Sequence, residues 1–292
     1  MGNPVCHICS GNSTQLFMTR GGWNFYRCPD CRLEFIFPQP DDNVLKEIYS
    51  GSYYDAWGLH IDARTAEKSK LLTFEYRLNL VKDRLSKGDK ILDCGCATGF
   101  FLDLVKQHGY APYGIEISDY AVKVAKEKFG DENIFKGNLE QAVFKGEKEN
   151  IFSAIFMTDY LEHVRSPREA VSSAWRLLKP GGVMVITTPD TSSLSKSVLN
   201  KSWIHYKTEH LFYFSKKNIS RLLEQDHFTN LEFQKAKKYF TPEYVFHQFN
   251  VYRHPLFTPA GRMMYRITPS GLRKAVFSLT IGEMVVTAQK PV

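Results

Sequence analysis

The 292-residue sequence lacks several features that would place it in a specialised class of protein. It contains no run of about 18 apolar residues, so no membrane-spanning helix is expected. Its first residues, MGNPVCHICSGNS, include no basic region followed by an apolar core, so we expect no secretion signal. No cysteine pattern demands disulfides, which favours a reducing, cytoplasmic location. The remaining composition, 43% hydrophobic and 24% charged, is that of an ordinary globular protein.

Acidic residues are scarce in the last third of the chain. Residues 196–274 contain 14 Lys or Arg but only 5 Asp or Glu, a balance of +9, whereas the whole chain carries +7. Such a basic region suits a phosphate-bearing substrate, an anionic membrane surface or nucleic acid. A solvated basic face is the alternative that requires no partner.

Four of the six cysteines form two CxxC pairs near the N-terminus. Cys6 and Cys9 make the first pair, Cys28 and Cys31 the second, and 18 residues lie between them. Two CxxC turns at this spacing are typical of a zinc site, because each turn presents two thiolates on one side. Since four sulfurs would fill the tetrahedron, we predict a structural Zn²⁺. A metal-free remnant and redox-active thiols are the alternatives.

Residues 90–116, KILDCGCATGFFLDLVKQHGYAPYGIE, predict one βαβ unit. The first apolar run ends on Asp93, a turn containing Gly95 and Gly99 follows, and the second apolar run ends on Glu116. The turn lacks the G-x-G-x-x-G pattern that holds a dinucleotide pyrophosphate, which Asp93 would repel. A carboxylate at this position suits a ligand with a cationic amino-acid end, and Glu116 can accept the hydroxyls of a ribose.

This stretch resembles the first motif of class I S-adenosylmethionine-dependent methyltransferases, the acidic-x-G-x-x-x-G loop. Two later stretches, D-x-LEHV at 159–164 and LLKPGG at 177–182, match the same family. The resemblance implies S-adenosylmethionine as cofactor and an α/β fold. The expected fold is a Rossmann-like, seven-stranded, mostly parallel sheet with an antiparallel last strand, behind a small zinc-ribbon-like module.

The resemblance also implies a set of cofactor-binding residues. They are Asp93, Gly95, Cys96, Gly99, Glu116, Ile117, Asn138, Leu139, Thr158 and Asp159. Family members usually carry an acid where this chain has Asn138. An amide can still bond the adenine edge, so the difference affects only that contact.

The segment from Trp203 to Ser215 resembles the W…EHLxYFS segment of a subgroup that includes sugar C-methyltransferases, which also carry a four-cysteine zinc module. In those enzymes the matching Glu-His and Tyr line the sugar site, and the His is the proposed base. The resemblance therefore assigns deprotonation of the acceptor to His210 with Glu209, and it makes Tyr206 a looser match for substrate contact. The alternative is that His210 only bonds the loop backbone.

Three further residues are weaker candidates. His163 follows the predicted fourth strand and is the reserve base, with fixing of its loop as the alternative. Tyr53 and Tyr54 precede the predicted core, where many small-molecule methyltransferases place a lid over cofactor and substrate. Packing of the two tyrosines on the core is the alternative.

We expect three segments: a zinc module at 1–40, a helical lid or linker at 41–74 and the methyltransferase domain at 75–292. Within the last segment, residues 239–281 form an insertion with nine aromatic residues, five Lys or Arg and one Glu. This mixture is typical of a peripheral membrane contact, a subunit interface or a basic lid. Oligomeric state is left open.

The expected activity is methylation of carbon or oxygen in a small molecule, with a nucleotide-linked sugar or glycan precursor first. A phosphate-bearing acceptor would fit the basic region. The alternatives are a lipophilic quinone-type or other hydroxylated ring, RNA, and a non-catalytic protein whose interactions depend on zinc and S-adenosylmethionine. The (D/N)PP(Y/F) tetrapeptide of amino-methylating nucleic-acid enzymes is absent from the sequence, which makes nucleic acid the weaker partner.

Overall fold

The computed structural model describes residues 4–48, 63–144, 146, 149–251 and 257–292. The chain folds as two compact units. The first comprises Met1–Pro40, Leu80–Ala236 and Gly282–Val292, and the second comprises Asp41–Asn79 and Lys237–Ile281. The predicted zinc module thus shares a unit with the main sheet, and the predicted lid segment shares the other with the insertion. Among the described helices, none has the length and apolar character that crossing a membrane requires.

Three strands precede the first helix of the described chain, and the later strands are interspersed with helices. They are β1 (Gln15–Arg20), β2 (Trp23–Arg27), β3 (Glu34–Ile36), β4 (Lys90–Cys94), β5 (Ala111–Glu116), β6 (Ile134–Lys136), β7 (Phe152–Thr158), β8 (Leu178–Pro189), β9 (Phe212–Tyr213), β10 (Thr229–Lys235), β11 (Lys238–Phe240), β12 (Phe277–Leu279) and β13 (Glu283–Gln289). The helices are α1 (Asp42–Ile48), α2 (Ala63–Asn79), α3 (Phe100–Gln107), α4 (Asp119–Phe129), α5 (Pro167–Leu177), α6 (Leu194–Leu199), α7 (Lys216–Gln225), α8 (Pro242–Val251) and α9 (Phe257–Ile267).

The main sheet has seven strands in the order β10-β13-β8-β7-β4-β5-β6. From β8 to β6 all neighbours are parallel, whereas β13 runs antiparallel to both β8 and β10. The parallel strands are nearly all buried because helices cover both faces of such a sheet. The predicted Rossmann-like fold with an antiparallel last strand is confirmed.

A second, four-stranded sheet of the first unit has the order β1-β2-β3-β9. Its fourth strand comes from the EHLFYFS segment, where Phe212 pairs with Phe35 and Tyr213 with Glu34. The N-terminal module and a segment almost 180 residues later therefore complete one sheet. This long-range pairing was not predicted.

Helix starts follow the local signals in the sequence. Ser166 precedes Pro167 and accepts the Glu169 N–H, and Ser215 forms a capping box with Asn218 at α7. Two element boundaries follow from pairing and burial. Helix α2 ends at Asn79, and Val81 leaves the helical conformation at a φ of −129° while buried at 1% exposure. Strand β8 begins at Leu178, which pairs with Phe152 of β7.

The second unit contains α1, α2, α8, α9 and the antiparallel pair β11–β12. The Tyr239 N–H donates to Thr73 Oγ1 at 3.1 Å, which joins β11 to α2. Helices α8 and α9 pack through Phe246 and Tyr265, whose rings stack at 4.1 Å between centroids. The insertion predicted at 239–281 thus has regular structure in its described part.

Candidate active site and metal centre

The glycine turn after β4 folds back onto β5. The Gly95 and Cys96 N–H groups donate to the Ile115 carbonyl at 2.8 and 3.0 Å. Gly95 and Gly99 have positive φ values of 77° and 84°, the left-handed region that glycine enters without steric cost. At Gly99 a Cβ would also overlap the Phe129 ring. The turn needs both glycines, and α3 begins immediately after it.

The Glu116 carboxylate is fixed by three backbone N–H groups. Its Oε1 accepts from Ile117 at 2.8 Å and from Ser118 at 2.9 Å, and its Oε2 accepts from Ala97 of the glycine turn at 2.9 Å. A carboxylate has about four acceptor positions, so at least one remains for a ligand hydroxyl. The same side chain therefore holds the turn and can bind a ligand.

The other predicted cofactor residues lie at the carboxyl ends of neighbouring strands. Asp93 lies in β4 and is buried at 4% exposure, and Thr158 ends β7. Asn138 and Leu139 follow β6, the former exposed and the latter buried, and Ile117 beside Glu116 is 54% exposed. Since ligands of open α/β sheets bind outside this edge, the structure brings the predicted set together.

Asp159 follows Thr158 in a conformation that residues other than glycine rarely adopt. Its φ is 53°, and its N–H donates to the Thr187 carbonyl at 2.9 Å. Aspartate tolerates this region better than most residues. The hydrogen bond holds the loop after β7 against β8, which positions the Glu-His dipeptide that follows.

Two Glu-His dipeptides meet beyond the end of β7. The Leu211 N–H donates to the Glu162 carbonyl at 2.8 Å, and His163 Nδ1 bonds the Glu209 carbonyl at 2.9 Å. The rings of His163 and His210 lie 4.8 Å apart between centroids, nearly perpendicular. A Glu162 oxygen and one ring nitrogen of each histidine all lie within 4.8 Å of one another. The predicted reserve base and the predicted base are thus neighbours.

Burial keeps this group of side chains uncharged near neutral pH. Burial lowers the pKa of His163 to about 4, and it lowers the pKa of His210 well below the ordinary value. Burial, with the nearby Asp159 carboxylate, raises the pKa of Glu162 to about 8, so that Glu162 carries its proton. Two neutral imidazoles and one carboxylic acid therefore share the space beyond the end of β7.

The hydrogen bond of His163 assigns the proton on its ring. A carbonyl only accepts, so His163 carries its proton on Nδ1, which donates to Glu209. His210 Nδ1 is buried and has no hydrogen-bond partner among the described residues. In a neutral imidazole this nitrogen is either a donor or an acceptor, so a polar group of a ligand could satisfy it.

The side chains of Glu209 and Tyr206 lie elsewhere than the sugar-enzyme resemblance implies. Glu209 lies 3.9 Å from Lys207, and its backbone, not its carboxylate, bonds the histidine pair. The Tyr206 hydroxyl donates to Glu34 of β3, and its ring packs on Phe25 and Tyr213 inside the four-stranded sheet. Tyr53 and Tyr54 lie outside the described residues. The roles proposed for these four residues stay predictions.

Sequence reasoning missed Glu162 and Glu34. Glu34, 3% exposed, pairs with Arg27 at 2.6 Å and accepts from Tyr206, which ties the module to the later segment. Glu162 is 1% exposed. Its signal in the sequence was that Glu162-His163 repeats the dipeptide at Glu209-His210. A pattern of two such dipeptides after successive strands would have indicated a paired site.

The two CxxC turns have the same backbone geometry. The Ser10 N–H donates to the Cys6 carbonyl and the Arg32 N–H to the Cys28 carbonyl, both at 3.0 Å. Ser10 and Arg32, each the residue after the second cysteine, have φ values of 59° and 61°. Each turn therefore directs two sulfurs toward the other turn.

The four cysteines fit a tetrahedral ion. Their sulfurs all lie within 4.8 Å of one another, with Cys6–Cys31 at 3.5 Å and Cys9–Cys28 at 3.4 Å. Zinc–sulfur bonds of about 2.3 Å would place the sulfurs ~3.8 Å apart, whereas a disulfide would need about 2 Å. A Cβ on Gly11 would enter the same space, 3.4 Å from the Cys9 sulfur. Cys6, Cys9, Cys28 and Cys31 are thus the residues that could hold a metal.

Comparisons with known proteins agree with the fold. The profile of a family described as "Methyltransferase domain" matches residues 66–232. The chain is 27% identical over 177 residues to 24-methylenesterol C-methyltransferase 3 of Arabidopsis thaliana, covering 56% of this chain and 48% of that protein. It is 31% identical over 114 residues to a ubiquinone biosynthesis O-methyltransferase of Thiobacillus denitrificans, covering 37% and 47%. The chain spans about half the length of these curated relatives.

Solved structures show the same architecture. A SAM-dependent methyltransferase from Archaeoglobus fulgidus superposes with a TM-score of 0.51 at 18% identity, over 76% of this chain and 94% of that chain. Phosphoethanolamine N-methyltransferase 2 of Haemonchus contortus, in complex with S-adenosyl-L-methionine, gives a TM-score of 0.53 at 15% identity, over 94% and 71%. At such identities the likeness establishes the fold alone. Because the family profile covers more than half of the chain, this protein belongs to the methyltransferase domain family, with the class I S-adenosylmethionine-dependent methyltransferase fold.

Proposed function

We propose that this chain transfers the methyl group of S-adenosylmethionine to a carbon or oxygen atom of a small-molecule acceptor. The observation that carries the proposal is Nδ1 of His210, a buried nitrogen that has no hydrogen-bond partner among the described residues, in a ring that contacts the His163 ring. Residues that hold the cofactor would by themselves be equally consistent with a binding protein. In the tautomer that leaves Nδ1 unprotonated, His210 suits an enzyme that removes a proton from its acceptor.

The residues divide between cofactor and acceptor. Glu116 accepts the ribose hydroxyls, Asp93 faces the cationic amino-acid end, and the glycine turn lets the backbone approach the ligand. When bound, S-adenosylmethionine would supply a methyl group on a cationic sulfur, which would leave as a neutral thioether. His210 would accept the proton of the acceptor on Nδ1.

For the acceptor, two classes compete. A nucleotide-linked sugar or glycan precursor is supported by the four-cysteine cluster and by the EHLFYFS segment. The Tyr206 hydroxyl is buried against Glu34, so this tyrosine gives no support to a sugar acceptor. A lipophilic hydroxylated ring or sterol-like acceptor is the second candidate, favoured by relatives named for sterol and ubiquinone methylation. In both classes the transfer goes to carbon or oxygen, which requires a base.

We further propose that the four cysteines hold one structural Zn²⁺. When bound, the ion would link the CxxC turn at the start of the module to the turn between β2 and β3. With four thiolates around it, such an ion has no open position for substrate. Its contribution would be to the stability of the four-stranded sheet.

Calorimetry with S-adenosylmethionine and with its demethylated product tests the cofactor half of the proposal. Micromolar binding of both is expected, and no binding of either would refute it. Methyl transfer is then measured by mass spectrometry on two matched panels, nucleotide-linked sugars and hydroxylated rings with apolar tails. Turnover of one panel assigns the acceptor class. Cofactor binding without turnover of any small molecule, together with turnover of RNA, would overturn the small-molecule assignment.

A further inference from the structure

The outer face of α9 exposes three large apolar side chains in one patch. Met263, Met264 and Ile267 are 65%, 64% and 73% exposed. At about 100° per residue, the three side chains fall within an arc of about 100° on one side of the helix. Single exposed apolar residues are ordinary on protein surfaces, but a contiguous set on one helix face marks an interaction site.

Packing on the opposite side fixes the orientation of this helix. Tyr265 stacks on Phe246 of α8 with the ring planes 10° apart, and the Arg273 guanidinium lies 4.5 Å from the Tyr265 ring centroid. Thr258 is also buried, at 7% exposure. Since α9 is already packed through this face, the apolar patch is the side presented outward.

The surroundings of the patch are basic. Arg262 and Arg266 are exposed and lie next to the apolar arc on the same helix, and Arg273 and Lys274 follow it. Residues 257–275 contain these four basic residues and no acidic residue, and Leu272 adds a further apolar side chain at 57% exposure. An apolar arc with arginines along one edge is typical of helices that lie in the interface of a membrane.

We propose that α9 docks this chain on an anionic membrane surface. Met263, Met264 and Ile267 enter the boundary between headgroups and acyl chains, while Arg262 and Arg266 contact lipid phosphates. Arginine suits this position because its aliphatic stem follows apolar surface and its guanidinium stays among the headgroups. Charge complementarity favours anionic lipid over a protein partner, because Arg262 and Arg266 lie beside the patch and residues 257–275 contain no acidic residue.

Vesicle flotation of the full chain tests the docking surface without reference to methyl transfer. Binding is expected to vesicles of phosphatidylglycerol mixed into phosphatidylcholine, and not to phosphatidylcholine alone. Since each basic residue near an anionic surface contributes about fivefold, the double variant Arg262→Gln/Arg266→Gln should lower the partition coefficient about 30-fold. The double variant Met263→Ser/Ile267→Ser should lose binding to the anionic vesicles.

A matched control uses another exposed apolar pair at the same helical spacing. Leu194 and Val198 of α6 are 79% and 73% exposed, so Leu194→Ser/Val198→Ser removes equal apolar character elsewhere and should bind like the unaltered chain. Circular dichroism of each variant verifies folding. Equal binding by the Met263→Ser/Ile267→Ser variant, or no binding by the unaltered chain, would overturn the proposal. So would a dimer in sedimentation that this variant alone dissociates, because the patch would then join two copies.

Discussion

The imidazole rings of His163 and His210 meet edge to face, with centroids 4.8 Å apart and planes at 88°. Burial lowers the pKa of both, to about 4 for His163. Protonation of one ring would also oppose protonation of the other, because two cations would then lie in a poorly solvated space. The pair therefore supplies neutral bases well below the pH at which a free histidine becomes charged.

Replacement of His210 by Ala tests its assignment as the base. We expect turnover to fall by about 10²- to 10⁴-fold, the range typical of general bases, while the Kd for S-adenosylmethionine stays unchanged. In the unaltered protein, kcat should hold its value as pH falls below about 6.5, because the depressed pKa keeps His210 unprotonated. Turnover is measured by product mass and binding by calorimetry.

His227→Asn provides the matched control, since His227 is exposed and its φ of 62° is tolerated by asparagine. This variant should retain full turnover. His163→Ala should lower kcat less than His210→Ala, because His163 Nδ1 holds the Glu209 carbonyl and its role is to position the loop. Near-normal turnover of His210→Ala would remove the assigned base.

Glu162 gives the fold a distinct dependence on pH. Because its pKa in the folded state, about 8, lies above the unfolded value of 4.5, its stabilising contribution is present at low pH and is lost as pH rises toward 8. The histidines act in the opposite direction, since their lowered pKa values cost stability only as pH falls below about 6.5. Of these three side chains, Glu162 is therefore the one that lowers the free energy of unfolding as pH rises from about 6.5 to 8.

Glu162→Gln should flatten that loss, by up to about 1.4 kcal/mol per pH unit. The measurement is the free energy of unfolding in urea at several pH values across this window. Glu232→Gln is the control, because Glu232 is 57% exposed and pairs at the surface with Arg84. If both variants keep the slope of the unaltered protein, Glu162 is ionised throughout the window.

The parts of the structure that the sequence predicted are those fixed by local pattern. Gly95, Gly99 and Glu116 lie within one βαβ unit, where the backbone needs of a turn are visible over a few residues. The pairing of Glu34 with Tyr213, and the bond from Tyr206 to Glu34, join residues over 170 positions apart, and no spacing rule foretells them. Similarly, the contact between the His163 and His210 rings joins residues 47 positions apart. Local geometry was thus predictable, and the non-local packing that places His210 was not.

Glu116→Gln should weaken S-adenosylmethionine binding by about ten- to a hundredfold. The amide would lose the charge that accepts ligand hydroxyls and would turn an N–H toward one of the three backbone N–H donors. Asp119→Asn is the control, since Asp119 lies three residues away, is 85% exposed and pairs with Lys136 at the surface. Calorimetry with S-adenosylmethionine measures the Kd of each variant. Equal affinities would mean that the carboxylate only holds the glycine turn.

Gly99→Ala should destabilise the protein more than Gly88→Ala, although both residues have a φ of 84°. The positive φ costs each alanine about 1 kcal/mol, but only at Gly99 does the new Cβ meet the Phe129 ring, whereas Gly88 faces open space. The difference in urea midpoint between the variants therefore measures close packing of α4 on the turn. Cofactor affinity should fall for Gly99→Ala alone. Equal midpoints would show that Phe129 moves aside without cost.

Replacement of Cys31 by Ala tests the zinc proposal. Metal analysis of the purified protein should give one zinc per chain, and Cys31→Ala should lose it together with a large part of the thermal stability, because structural zinc contributes folding free energy. Cys94→Ala is the matched control, since Cys94 is equally buried but lies in β4 of the main sheet. The Cys94→Ala variant should keep its zinc and lose only the packing of this side chain in the main sheet. A chain that contains no metal when expressed with zinc, and whose unfolding temperature does not respond to a chelator, would leave the four thiols as a metal-free remnant.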